Sequence, residues 1–166
     1  MALSFNADEI LQMAEQIERN GAKFYRRAAG SAAKGAEKIL LDLAAREEEH
    51  EKTFAAMRAG LSDGERKAPL FQKTDDAAAY LQAWADGHVF DVRRDPTAGL
   101  TGKETIQQIL MMAIGMEKDS IVFYLGMKEA VPEKQGRAAV DKIIKEEMGH
   151  MALLSRQLGS SRHQAL

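Results

Sequence analysis

The stretch KEEMGHMALL, residues 145–154, places two polar residues on the apolar stripe of a predicted helix. Apolar residues recur at spacings of three and four, which is typical of a helix that buries one face. They are Val140, Ile143, Ile144, Met151, Leu154 and Leu158. Glu147 and His150 interrupt this series one turn apart. These two side chains need a partner inside the protein, because unpaired buried polar groups are destabilising.

The same periodicity extends through most of the 166 residues, and no segment alternates long enough with the period of two that a strand requires. The sequence therefore predicts an all-α fold. Capping residues and glycines give the bounds of four long helices. The first runs from Asn6 to Gly30, with Phe5 packing on Ile10; the second from about Gly35 to Ala59; the third from just after Thr101, with Glu104 completing its cap, to before Pro132; and the fourth from about Lys134 to Leu158.

The lengths of the connections predict the topology. Few residues separate the first helix from the second and the third from the fourth, so each pair should form an antiparallel hairpin. Residues 60–101 are long enough to cross the bundle, and TDDAAAYLQAWADG, residues 74–87, predicts a short helix within this crossover. We expect a single domain over residues 1–166, built as a four-helix bundle of two hairpins with a long crossover between them.

Composition argues against several classes of function. The net charge is -2, from 23 basic and 25 acidic residues mixed along the chain, so neither nucleic acid nor a membrane surface is an expected partner. There is no cysteine, which excludes disulfides and cysteine-ligated iron on this chain. The first residues lack the apolar core of a signal peptide, and no apolar run is long enough to span a bilayer. We therefore expect a cytoplasmic protein.

The two halves of the sequence repeat one pattern. ERNGAKFY, residues 18–25, corresponds to EKDSIVFY, residues 117–124, and EEEH, residues 47–50, corresponds to EMGH, residues 147–150. Each half has a Glu followed by Phe-Tyr and then a Glu-x-x-His, at an offset of about 100 residues. Most other residues do not match, which indicates that the shared positions form a site.

Six polar residues of this repeat lie on the inward stripes of the four helices. The four glutamates each lie about a dozen residues from the turn of their hairpin, roughly 18 Å at helical rise, so the six side chains should meet at one level in the middle of the bundle. No Lys or Arg lies on these stripes near that level. The six are Glu18, Glu47, His50, Glu117, Glu147 and His150.

Four buried carboxylates need cations, since an unpaired charge in the interior costs several kcal/mol. Two divalent ions with two neutral imidazoles would balance the four charges. Oxygen-rich ligands with two imidazoles suit iron or manganese, and the Glu-x-x-His spacing brings both side chains to one metal ion. The sequence therefore predicts a site for two metal ions.

With this doubled pattern, the chain resembles the ferritin-like di-iron carboxylate proteins, and most closely the rubrerythrins. The resemblance implies a cofactor of two iron ions, which manganese or a mixed pair could replace, and a reaction of ferrous iron with peroxide or dioxygen. It also implies roles for the six residues. Glu18 and Glu117 would each bind one iron, Glu47 and Glu147 would be shared between the irons, and His50 and His150 would supply one imidazole each.

The chain departs from the rubrerythrin pattern in two respects. It has neither a rubredoxin domain nor a cysteine, so the electron donor would be an external molecule. Rubrerythrins also carry a further Glu three residues after the third-helix ligand, which exchanges with a His when the irons change oxidation state. Ser120 stands at that position here, and Gly21 is its equivalent in the first helix. Two small residues beside the metals would leave an open volume for a small oxidant.

The sequence predicts the positions of several other polar residues less specifically. Tyr25 and Tyr124 lie two turns from Glu18 and Glu117, where their hydroxyls either bond to site carboxylates or are satisfied elsewhere in the core. A second set misses the inward stripe and is predicted to lie outside the site. These residues are Glu48, Glu49, Glu51 and Glu146, which should face solvent, His88 in the crossover, and His163 in a loose C-terminal tail.

Two other functions fit the same sequence: a ferroxidase that stores or buffers iron, and a metal-free helical interaction bundle. The third helix also carries apolar residues off its stripe, which predicts that either the crossover or a homodimer partner covers them. These residues are Met111, Met112, Ile114, Ile121 and Val122.

Overall fold

The computed structural model describes residues 6–32, 34–68, 93–131 and 133–163, together with Ala79 and Ala83. These residues form five α-helices, and none of them lies in a strand, so the predicted all-α class is confirmed. The helices are α1 (Ala7–Ala29), α2 (Lys34–Ala59), α3 (Asp63–Lys67), α4 (Ile106–Ala130) and α5 (Arg137–His163), with a 3-10 turn at Glu133–Gln135. No helix among them is both long and apolar enough to cross a bilayer.

The start of α1 follows the predicted capping box. The side chain of Asn6 accepts the backbone N–H of Glu9 at 2.9 Å, and the carboxylate of Glu9 accepts the N–H of Asn6 at 3.0 Å. Acids in the first turn and arginines in the last turn also suit the helix dipole. The predicted contact of Phe5 with Ile10 lies outside the described residues.

Helix α4 begins five residues later than the predicted cap at Thr101. A second capping box, Thr105 with Gln108, starts the helix instead. The carboxylate of Glu104 does accept the backbone N–H and hydroxyl of Thr101, but it also accepts the N–H of Gly102. Because Gly102 has a φ of 85°, this network closes a turn and cannot continue into a helix.

Helix α5 also differs from the prediction at both ends. It begins at Arg137, after the 3-10 turn, and continues through the expected stop at Leu158 to His163. The side chain of Gln107 on α4 donates to the backbone carbonyl of Ser161 at 3.1 Å, which holds the last turn of α5 against α4. The segment up to His163 is therefore helical where a loose tail was predicted.

Two apolar clusters make up the described core, and each of the four long helices passes from one to the other. Core cluster 1 includes Ile10, Ile17, Phe54, Ile121, Phe123 and Ile143. Core cluster 2 includes Phe24, Leu40, Leu43, Leu110, Ala113 and Leu154. Along the chain, α1 and α5 run from cluster 1 to cluster 2, whereas α2 and α4 run in the opposite direction.

This order defines two antiparallel hairpins, α1 with α2 and α4 with α5, as predicted. Helix α2 ends beside cluster 1 and α4 begins beside cluster 2, so the end of α2 and the start of α4 lie at opposite ends of the bundle. Of the predicted helix at residues 74–87, only Ala79 and Ala83 are described, and both are helical. The rest of that helix lies outside the described residues.

The apolar residues predicted to exceed the needs of one bundle divide into two groups. Ile121 is buried, and Met112 and Ile114 pack against cluster 2. Met111 and Val122 are exposed, at 59% and 44%. The homodimer therefore stays a prediction.

An ion-pair network holds α3 and the end of α2 against α1. Arg58 makes a bidentate contact with Asp8, at 3.0 and 3.1 Å, and reaches the buried Glu15 at 3.4 Å. Arg66 of α3 contacts Asp8 and donates to the backbone carbonyl of Arg58. Because Asp8 is shared by both arginines, the network joins three helices.

We expect Arg58→Ala to lower the free energy of unfolding by roughly 1–3 kcal/mol, because it leaves Asp8 and the buried Glu15 with fewer partners. Urea unfolding measures the change. Lys52→Ala is the matched control, since the pair of Lys52 with Glu49 is about two-thirds exposed and its loss should change stability by less than about 0.5 kcal/mol. Equal effects of the two substitutions would contradict a structural role for the network.

Candidate metal centre

The six polar residues of the repeated pattern come together between the two core clusters. In each helix they lie between its cluster 1 and cluster 2 residues, which is the level predicted from the sequence. All six are buried, with at most 9% of any residue exposed. They are Glu18 from α1, Glu47 and His50 from α2, Glu117 from α4, and Glu147 and His150 from α5.

Ligand-type atoms of these residues form two overlapping groups. In each group, four residues place one nitrogen or oxygen atom each within 4.8 Å of one another. The first position is formed by Glu18, Glu47, His50 and Glu147, and the second position by Glu47, Glu117, Glu147 and His150. Glu47 and Glu147 belong to both positions. The two imidazole rings are stacked, with centroids 5.7 Å apart.

Each residue of the first position has one buried atom without a hydrogen-bond partner. Nδ1 of His50 lies 2.8 Å from a carboxylate oxygen of Glu147, but the two atoms are not aligned as a hydrogen bond. Orphaned buried acceptors are rare because they are costly, and together these atoms are the donor set that iron or manganese prefers. The residues therefore fit a pair of such ions. The atoms are Oε2 of Glu18, Oε1 of Glu47, Nδ1 of His50 and Oε1 of Glu147.

Without a metal, protons must neutralise the cluster. Burial raises the pKa of Glu18 to about 8, and it raises the pKa values of Glu47 and Glu117 well above their usual range. Burial opposes the charge on His150 as well, but contacts with the surrounding carboxylates outweigh it and raise the pKa of His150 to about 12. Metal ions binding here must therefore displace protons.

Two tyrosines fix the carboxylates that are not shared between the positions. The hydroxyl of Tyr25 on α1 donates to Oε1 of Glu117 on α4, and the hydroxyl of Tyr124 on α4 donates to Oε1 of Glu18 on α1. Burial, together with the nearby carboxylates, raises the pKa of both tyrosines, so both hydroxyls stay protonated as donors. Of the two predicted alternatives, the structure places these hydroxyls on site carboxylates.

Glu146 was predicted to face solvent, and this prediction is wrong. Its Oε2 lies 2.7 Å from Nε2 of His50, and its side chain is 36% exposed. Burial alone would raise the pKa of Glu146, but the hydrogen bond and charge of His50, together with the charge and hydrogen bond of Lys142, outweigh burial and lower the pKa. Sequence reasoning tested only the inward stripe, whereas the second nitrogen of an imidazole ligand also needs a partner. That requirement could have singled out a neighbouring carboxylate.

The other glutamates predicted to face solvent differ in how exposed they are. Glu49 is 67% exposed and pairs with Lys52, as predicted. Glu48 and Glu51 were also predicted to face solvent, but their side chains are only 33% and 29% exposed, so the prediction is wrong for them as well. They pair across the hairpin with Arg26 and Arg19 of α1, respectively. His88 and the side chain of His163 lie outside the described residues.

A small cavity lies beside the carboxylates, where Gly21 and Ser120 were predicted to leave space. Its volume is about 10 Å³, close to the space of one water molecule, and its lining includes Glu47 and Glu117. A Cβ atom on Gly21 would lie 3.1 Å from Oε2 of Glu47, so glycine lets that carboxylate approach the helix. Met116 lines this inner cavity and also a larger outer cavity of about 420 Å³ between α4 and residues 94–99.

The bundle and its central cluster define the class of the protein as ferritin-like. Its fold matches the crystal structure of a candidate ferritin-like diiron-carboxylate protein from Thermotoga maritima, with a TM-score of 0.71 and 24% identity over 95% of this chain and 97% of that chain. No curated protein matches the sequence. The profile of the rubrerythrin family matches residues 9–158, and the chain belongs to that family.

We expect the metal-free protein to lose stability as pH rises between about 4.5 and 8. Glu18 releases its proton near its ordinary value of 4.5 when unfolded but keeps it to about 8 when folded. The folded state therefore binds more protons in this window, and stability falls by about 1.4 kcal/mol per pH unit for each such carboxyl. Urea unfolding in the presence of EDTA measures the slope.

His150 contributes in the same direction above its ordinary value of 6.5, since its folded pKa is about 12. Glu18→Gln removes one titrating group and should make the slope shallower. Metal ions replace the displaced protons, so two equivalents of manganese should weaken or reverse the trend. A metal-free protein whose stability rises with pH across the window would contradict this electrostatic account.

Proposed function

We propose that the protein is a non-haem di-iron oxidoreductase that reduces peroxide or dioxygen with electrons from an external donor. The observation that carries the proposal is the set of four orphaned atoms of the first position, buried at the centre of a rubrerythrin-family bundle. Among the described residues, no Lys or Arg side chain lies within this group of carboxylates. The two imidazoles are the groups there that could carry a positive charge. A pair of metal ions would satisfy both the hydrogen-bonding deficit and the charge.

Under this proposal all six buried residues are ligands. Glu18 and His50 would serve the first position, Glu117 and His150 would serve the second, and the two remaining carboxylates would be shared. Iron fits the oxygen-rich set, and manganese or a mixed pair would fit the same atoms. When bound, a ferrous pair supplies the two electrons that reduction of one peroxide molecule to water requires, and the external donor restores them.

The protein's own residues would hold the ligands and control access. The hydrogen bonds from Tyr25 and Tyr124 keep the unshared carboxylates oriented without adding charge. The inner cavity beside Glu47 and Glu117 has room for only about one water molecule, so it excludes a bulky organic substrate and leaves a small oxidant as the substrate we propose. The outer cavity, which shares Met116 with the inner one, would be its route of entry.

Iron loading followed by turnover tests the proposal. Protein loaded anaerobically with ferrous iron should retain about two ions per chain and, with a chemical reductant present, should consume peroxide in many-fold excess over its iron. Glu147→Ala should abolish iron retention, because it removes a shared ligand, whereas Glu49→Ala on the surface should not.

Two other outcomes would select the alternative functions. Accumulation of mineral in a high-mass assembly would indicate iron storage, and failure to retain any iron or manganese would indicate an interaction bundle. We also propose that the protein acts in the cytoplasm, takes electrons from a separate donor molecule and forms a homodimer.

Filling the inner cavity should slow oxidation without preventing metal binding. Ser120 is half-buried and its hydroxyl donates to the backbone carbonyl of Met116, so Ser120→Leu would place a larger side chain into the cavity lining. In stopped-flow measurements, peroxide should oxidise the ferrous form of this variant at least about tenfold more slowly, while the iron content stays unchanged. Ser120→Ala preserves the volume and should oxidise at the normal rate. Equal rates for both variants would show that the oxidant does not use this cavity.

A further inference from the structure

The two imidazoles of the centre have different partners on their outer nitrogens. Nε2 of His50 bonds to Oε2 of Glu146 at 2.7 Å. The contacts of His150 with carboxylates all involve Nδ1, which lies 2.9 Å from Glu147. Within the described part of the chain, Nε2 of His150 has no hydrogen-bond partner. The six residues of the proposed centre repeat between the two halves of the sequence, but the hydrogen bond to the outer imidazole nitrogen does not.

The sequence repeat shows why the second imidazole lacks this support. At the offset that relates Glu47 to Glu147, the counterpart of Glu146 is Arg46. Arg46 is exposed, and a guanidinium can only donate hydrogen bonds, so it cannot accept one from an imidazole N–H. The corresponding positions thus carry opposite charges, with the anion on the side of His50.

A carboxylate on Nε2 would affect metal binding at Nδ1 in three ways. It fixes the tautomer with the proton on Nε2, it holds the buried ring in place, and its charge makes the imidazole a stronger ligand. Lys142 lies 3.6 Å from the other oxygen of Glu146 but is 77% exposed, so it screens this charge weakly. Losing such a partner typically weakens metal binding by about 10–100-fold.

We propose that Glu146 makes the two metal positions unequal, so that a divalent ion binds the first position, with His50, more tightly than the second position, with His150. Glu146 acts as a positioning residue through His50 and does not touch the metal ion itself. This inference rests on the proposed two-metal centre but not on iron or on any reaction with an oxidant.

Variants that keep only one metal position test the inference. In the wild-type protein the two positions share carboxylates, so the first and second binding constants would differ even if the two positions were equal. His150→Ala leaves the first position and His50→Ala leaves the second. In anaerobic calorimetric titrations with cobalt chloride, the His150→Ala variant should bind one ion about 10–100-fold more tightly than the His50→Ala variant.

Glu146 is then removed in each background. Glu146→Ala should weaken cobalt binding about 10–100-fold when combined with His150→Ala and should change it less than about twofold when combined with His50→Ala. Glu146→Gln keeps an acceptor without the charge and should lie between. Glu49→Ala, adjacent to His50 but exposed, is the control and should have no effect in either background.

A merely structural role for Glu146 would weaken both backgrounds alike, and that result would overturn the inference. Equal affinities of the two single-position variants would overturn it as well. Wild-type protein that binds no cobalt at all would instead contradict the proposed metal centre, so the two failures can be told apart. Circular dichroism of each variant confirms that a loss of binding is not a loss of the helical fold.

Discussion

Burial of four carboxylates at one level of a helical bundle is the constraint on which the rest of the structure depends. One apolar cluster lies on each side of this level of the bundle, and all four carboxylates are buried between the two clusters. Without cations the cluster must hold protons on Glu18, Glu47 and Glu117, and four of its buried carboxylate and imidazole atoms have no hydrogen-bond partner in the structure. A pair of cations would balance the negative charge and would also give the unpartnered atoms something to bind. We therefore interpret the metal-free arrangement as a metal-binding site.

The duplicated hairpin builds this centre with approximate symmetry, and the tyrosines show how the halves depend on each other. Tyr25 orients a carboxylate from the second hairpin, and Tyr124 orients one from the first. Neither hairpin therefore completes its own metal position. The symmetry is broken outside the six buried residues, where Glu146 bonds to one imidazole and Arg46 occupies the corresponding place in the other half.

The sequence predicted the features that depend on helical periodicity. The stripe that Glu147 and His150 interrupt, repeated in each half, was sufficient to predict the bundle, its hairpins and the level of the cluster. Two of the features that were not predicted are the residue at which α4 begins and the contact of Glu146 with the site. Thr101 satisfied a capping pattern as well as Thr105 did, and only the positive φ of Gly102 excluded it. Glu146 was missed because its importance comes from the unfilled nitrogen of a residue on another helix, which periodicity within one helix does not reveal.

Anomalous diffraction from crystals of the iron-loaded protein would test the central claim most directly. The account predicts two anomalous peaks at the iron absorption edge per chain, both between the core clusters. One peak should lie within ligand distance of Glu18 and His50, and the other within ligand distance of Glu117 and His150. A folded protein that shows no peak among these residues, or that binds iron only at surface carboxylates, would contradict the account.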